Sequence, residues 1–131
     1  MPVFKAELLL RDKRLAWLQE RGIEVNYETL SGAALQKALL GKVLEEAQEL
    51  AEATTQEERV KELADVLEAL TAVQKSFEIS DAELESVRKQ RLAELGAFNQ
   101  GYYSHTVVVP EGEFANYYRA YPEKYPEREE A

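Results

Sequence analysis

The sequence predicts an all-α domain of the four-helix-bundle kind with a short aromatic C-terminal extension. Three observations carry this expectation. Apolar residues recur at helical spacing through most of the chain before Gly96. Capping-box patterns stand where that spacing begins, in "TQEE" from Thr55 and "SDAE" from Ser80. The joins between the last three helices are short, so consecutive helices should run antiparallel.

Taken in order, Asp12 is placed to cap a helix from about Lys13 to Arg21, which Gly22 stops. The segment "IEVNYETL" reads as extended or irregular, with Tyr27 and Leu30 as anchors. Ser31 is placed to cap a long second helix reaching about Ala53. The third helix opens at the Thr55 box and runs to about Phe77; the fourth opens at the Ser80 box and ends at Gly96. Beyond Gly96 the composition changes, and this aromatic-rich segment holds three of the four prolines. Within it "HTVVV" reads as a short strand, "EFANYYRA" as a last short helix and "EREEA" as a frayed end. One domain is therefore expected over residues 1–131, with a helical core over about 8–98 and an extension over about 99–131.

Composition narrows the chemistry. At 131 residues and 45% hydrophobic content, the chain can bury one core. It has no Cys and a single His, His105, so thiolate and histidine-rich metal sites are excluded. Any metal must be held mainly by oxygen, which points to Mg²⁺, Mn²⁺ or Ca²⁺. With 25 acidic and 16 basic residues the net charge is −9, which argues against a nucleic-acid polymer as partner. It leaves open a small phosphorylated ligand, because a bound metal reverses the local sign. The N-terminus lacks the pattern of a signal peptide, and no apolar run is long enough to span a membrane. A cytoplasmic protein is the expectation.

The acidic residues of helices two and three raise the functional question. Each helical residue turns about 100° from the last. On helix two, Leu35, Leu39, Val43, Leu50 and Ala53 form one stripe, and Glu46 lies in its middle. Glu49 sits at the stripe's edge, while Glu45, Gln48 and Glu52 point away. On helix three the expected core stripe is Val60, Leu63, Val66, Leu67, Leu70, Val73 and Phe77, with Glu62 beside it and Asp65 one step further round. Glu57 and Glu58 read as first-turn charges suited to the helix dipole. Acidic residues are common enough here for such spacings to arise on an ordinary surface. Glu46 differs, because a carboxylate aimed into an apolar stripe must be paired, protonated or metal-bound. A salt bridge to Lys42 or Lys37 would satisfy it without a metal. If the two helices are antiparallel, Glu46, Glu49, Glu62 and Asp65 face one another and repel unless a cation sits among them. Mg²⁺ commonly completes its shell with water and substrate phosphates, so such a site implies a nucleoside phosphate or pyrophosphate ligand.

The motif E-x-x-E (Glu46, Glu49), followed after twelve residues by E-x-x-D (Glu62, Asp65), resembles the signature of the MazG-like all-α nucleoside triphosphate pyrophosphohydrolases. That superfamily also contains phosphoribosyl-ATP pyrophosphohydrolase and dimeric dUTPases. "LLLRDKRL" resembles the "LVRDKI" opening of one small branch, and "LGAF" its "RGGF" ending, with Leu95 and Ala97 in place of the Arg and second Gly. The resemblance covers about residues 8–103. It implies a MazG-type helical bundle in which Glu46, Glu49, Glu62 and Asp65 ligate one or more Mg²⁺ ions, with Mn²⁺ as a substitute. It implies that Glu45, with Glu46 beside it, orients or deprotonates the attacking water, or that Glu45 helps to hold another metal. Cleavage between the α and β phosphates would yield a monophosphate and pyrophosphate, in a house-cleaning role against non-standard nucleotides. Arg11 and Lys13 in the matching stretch, and Arg88 and Arg91 on helix four, are the expected phosphate contacts. A homo-oligomer, dimer or tetramer, is implied as well.

Two alternatives stand beside this one. Phosphoribosyl-ATP pyrophosphohydrolase shares the fold and differs in substrate. A non-catalytic helical interaction protein would carry the same acids as solvated or salt-bridged groups. Trp17 is expected in the core with Leu15 and Leu18. Tyr102, Tyr103, Tyr117 and Tyr118 are expected to pack the tail onto the bundle or a neighbouring subunit, and His105 is assigned no role.

Overall fold

Five α-helices and no strand form among residues 1–128, which the computed structural model describes. They are α1 (Asp12–Glu20), α2 (Gly32–Glu52), α3 (Gln56–Ser76), α4 (Asp81–Leu95) and α5 (Glu113–Arg119). Two compact units result, Met1–Arg91 and Leu92–Ala131, with the boundary inside α4.

Local chemistry explains most helix ends. The N-cap of α1 is Arg11 rather than the expected Asp12, which is already helical. The Asp12 carboxylate accepts the Lys13 N–H at 2.6 Å, a first-turn anion suited to the helix dipole. At the other end Gly22, at φ 74°, lets Ile23 N–H reach back to Leu18 O and its own N–H to Gln19 O, a Schellman closure. Ser31 occupies the N-cap of α2, but its side chain makes no capping bond. Gly32, at φ 56°, turns the chain immediately afterwards. The Thr55 box forms as anticipated: the Thr55 hydroxyl accepts the Glu58 N–H at 3.1 Å, and Glu58 accepts the Thr54 N–H at 3.0 Å. Ser80 likewise accepts the Glu83 N–H at 3.1 Å. α3 closes on another Schellman pair, with Glu78 in the left-handed region at φ 56°.

Among the described helices, only α2 and α3 pack along each other. Gln36 Nε2 near the start of α2 donates to Ser76 O at the end of α3 (3.2 Å), which fixes the pair as antiparallel. The α2 stripe of Leu35, Leu39, Val43, Leu50 and Ala53 is half-buried, with Glu46 buried among it. The expected α3 stripe is corrected. It divides into two faces. Val66, Ala69 and Val73 are buried or half-buried, while Val60, Leu63, Leu67, Leu70 and Phe77 stay exposed. Two helices bury only one face of each, and the inner face of α3 is the one that carries Glu62. The exposed set is spaced alternately three and four residues apart, with Gln74 filling the one polar place. That is the seam of a helix awaiting a further helix.

Trp17 also departs from expectation. It is 39% exposed, and the Arg14 and Arg21 guanidiniums lie 4.1 and 3.8 Å from its ring centre. Cations over the ring cover it in place of core side chains.

In the second unit, "HTVVV" is not a strand, because no partner strand exists among the described residues to pair with it. Helix α5 forms where expected and buries Ala115. Tyr117 stands edge-on to Tyr118 (5.2 Å) and Tyr121 (5.8 Å), and Tyr118 to Tyr125 (4.8 Å). Arg119 forks to Glu111 (2.9 Å) and Glu127 (2.6 Å), holding both ends of the segment to α5. Glu127 is therefore tied down rather than frayed; the rest of the expected frayed end, past 128, lies outside the described residues. Tyr102 and Tyr103 are exposed, and His105 meets only the Tyr103 ring edge-on at 5.3 Å.

Candidate metal centre

The α2–α3 pair sets Glu46 and Glu49, one turn apart on α2, opposite Glu62 on α3. Each offers one carboxylate oxygen, and the three oxygens lie within 4.8 Å of one another. Glu46 is only 8% exposed, as its place in the apolar stripe requires. Glu62 is half-buried and Glu49 exposed. A hollow of about 290 Å³, lined by Glu49, Glu52, Ala53, Glu58 and Glu62, opens the group to solvent. Its polar lining is entirely acidic, so it attracts cations and repels a bare phosphate.

Lysines partly offset this charge. Lys42 Nζ lies 3.3 Å from Glu46 Oε1 and 3.4 Å from both oxygens of Glu45. Lys61 Nζ lies 3.1 Å from Glu62 Oε1, and that carboxylate holds its ammonium above the ordinary value. Asp65 is engaged elsewhere, by Arg11 at 2.9 Å and by Lys61 at 3.9 Å. The remaining oxygens, Glu46 Oε2 and Glu62 Oε2, are buried without a hydrogen-bond partner. Such orphaned acceptors are costly unless something positive meets them. The Glu49 carboxyl is pushed above the usual carboxylate range, first by a hydrogen bond with the Glu46 carboxyl, then by desolvation and by the charges of Glu46, Glu62 and Glu45. A proton on Glu49 is one answer to the crowding; a dication is the other.

The donor set fits a hard dication. An octahedral Mg²⁺ with ligands at about 2.1 Å separates neighbouring oxygens by about 3 Å and opposite ones by about 4.2 Å. Three oxygens within 4.8 Å reach that spacing by small side-chain movements.

Of the nine sequence-named positions, the structure thus brings Glu46, Glu49 and Glu62 together. Glu45 is linked to them through Lys42, and Asp65 touches the group through Lys61. Arg11 reaches Asp65, and with Lys13 it lines an open hollow of about 540 Å³ completed by Asp12, Arg14, Trp17 and Glu68. Arg88 instead pairs with Glu85 on its own helix at 2.7 Å, and Arg91 is exposed on that same helix. Neither approaches the carboxylates within this chain, because α4 packs on neither α2 nor α3. Lys61 was not evident as a site residue, although its i,i+4 spacing to Asp65 is a signal for it. Glu58 serves as both capping residue and wall of the acidic hollow.

Comparison with known proteins yields no match: no family model, no curated protein and no solved structure matches the chain. Among the described residues, no helix is long and apolar enough to cross a membrane.

Proposed function

We propose that the chain is a Mg²⁺-dependent nucleoside triphosphate pyrophosphohydrolase that yields a monophosphate and pyrophosphate. The observation that carries this is the pair of buried, unpartnered oxygens of Glu46 and Glu62, converging with Glu49 across two antiparallel helices. Glu46, Glu49 and Glu62 would hold Mg²⁺ or Mn²⁺, with Asp65 joining if Arg11 and Lys61 release it. When bound, the metal neutralises substrate phosphates and makes water more acidic. Glu45, half-buried beside this group, is the base or orienting group for the attacking water. Arg11 and Lys13 supply positive charge for the phosphate chain. The ordered motif and its resemblance to the MazG-like enzymes support the choice of reaction. In this reading the α3 seam pairs with a second copy to complete a four-helix bundle.

A specific observation also favours a second reading. Lys42 already pairs with Glu46, as a salt-bridged interaction protein would require, and much apolar surface is free for a partner. One experiment separates the two. A panel of standard and modified nucleoside triphosphates, with phosphoribosyl-ATP beside them, is incubated with Mg²⁺ or Mn²⁺ and the wild-type or Glu46→Gln protein. Monophosphate and pyrophosphate should appear, fall by about 100-fold or more in the variant, and vanish with chelator. The metal-free melting temperature should hold or rise on Glu46→Gln, because a repelling carboxylate is removed. No turnover with either metal and a large stability loss in the variant would leave the interaction-protein reading. Turnover of phosphoribosyl-ATP alone would keep the chemistry and replace the substrate.

A further inference from the structure

Resting on the metal-centre reading above, we propose that each chain takes one divalent cation, and that Lys42 sets this number by standing where a second ion would bind. The two glutamates that face each other are divided in the same way. Glu46 presents Oε1 to Lys42 and leaves Oε2 buried and unpartnered; Glu62 presents Oε1 to Lys61 and leaves Oε2 buried and unpartnered. An ammonium on one oxygen reserves the other for a single, monodentate bond. Glu46 Oε2 is itself buried, so bulk water does not reach it.

Two-metal phosphate chemistry places its ions about 3.5–4 Å apart, and a carboxylate shared between them offers one oxygen to each. Here the second oxygen of Glu46 has Lys42 Nζ at 3.3 Å, and Glu45, the next carboxylate along, is held by the same ammonium. The Lys42 side chain is 20% exposed, so it is fixed in place rather than swinging in solvent. Lys61, 72% exposed, is a looser latch on Glu62. Asp65, a further candidate for a second ion, carries the Arg11 guanidinium at 2.9 Å.

Monodentate oxygens also suit a small octahedral ion better than Ca²⁺, which favours more ligands and bidentate carboxylates.

The test is a Mn²⁺ titration of the full chain without nucleotide, followed by electron paramagnetic resonance of free Mn²⁺. Glu46→Gln is titrated in parallel, so that only ions lost in that variant are counted. The wild type should bind one such ion per chain and Lys42→Met two, the substitution keeping a good helix former at that place. Two ions in the wild type overturn the inference and leave the metal centre standing. One ion in a Lys42→Met protein with unchanged circular dichroism removes Lys42 from the role. No Glu46-dependent ion in the wild type overturns the metal centre itself. Should Lys42→Met fail to fold, Lys42→Gln replaces it, and the wild-type stoichiometry decides in either case.

Discussion

Glu49 shows how much a single carboxyl depends on its neighbours. It is exposed, yet the Glu46 carboxyl within hydrogen-bonding reach, desolvation and the charges of Glu46, Glu62 and Glu45 raise its pKa. The folded protein therefore holds a proton that the unfolded chain releases at about the ordinary value of 4.5. The sign follows from linkage: between that value and the raised one, the folded state binds more protons, so stability falls as pH rises. Metal-free protein should melt at progressively lower temperature as pH is raised through this window. Saturating Mg²⁺ should flatten or reverse the slope, because the metal needs the ionised form. Calorimetry across mildly acidic pH, with and without Mg²⁺, checks it; equal slopes in the two series would count against metal at this group. Glu46 was legible from sequence because one charged residue inside an apolar stripe is conspicuous. The engagement of Asp65 by Arg11 was not, since 54 residues separate the two.

Individual helices were set by short-range chemistry, and this is where the sequence was most readable. The Thr55 and Ser80 hydroxyls cap α3 and α4 as their spacing to Glu58 and Glu83 required. Ser31 carried the residue type of a cap without making the bond, because the chain turns at Gly32 instead. "HTVVV" carried β propensity without a partner strand, and propensity alone does not make a sheet. Thr55→Ala should cost about 1 kcal/mol of stability through loss of the α3 cap. Since α3 presents Glu62 less than two turns from that cap, the same variant should weaken Mn²⁺ binding modestly. Urea unfolding and the Mn²⁺ titration report the two effects separately. An unchanged unfolding midpoint would show that the cap bond contributes nothing.

For the whole molecule, exposed apolar surface is the main fact. Val60, Leu63, Leu67 and Leu70 lie on a face of α3 that no other described helix of the first unit packs along, and Leu44 on α2 is 72% exposed. Fully burying one leucine contributes roughly 1.5–3 kcal/mol, so a seam of this length can hold two copies together. The protein should be at least a dimer at micromolar concentration, as light scattering will report. Leu63→Glu with Leu67→Glu should raise the dissociation constant by about 100-fold or more. A wild-type monomer at that concentration would sink this expectation and with it the completed four-helix bundle.

The sequence by itself determined the helices, their antiparallel pairing across the short α2–α3 turn and the burial of Glu46, since caps, breakers and periodicity act over a few residues. It also excluded thiolate and histidine-rich metal sites, because the donors are missing. Only the tertiary structure decided which face of α3 meets α2. Periodicity marks an apolar stripe but cannot say which neighbour will cover it, and here two apolar faces compete for one helix. That choice turns Glu62 toward Glu46 and leaves Leu63 and Leu67 outside. It also decides which oxygens are taken by Lys42, Lys61 and Arg11 and which are left buried and free, a matter of a few ångströms that no spacing in the sequence encodes.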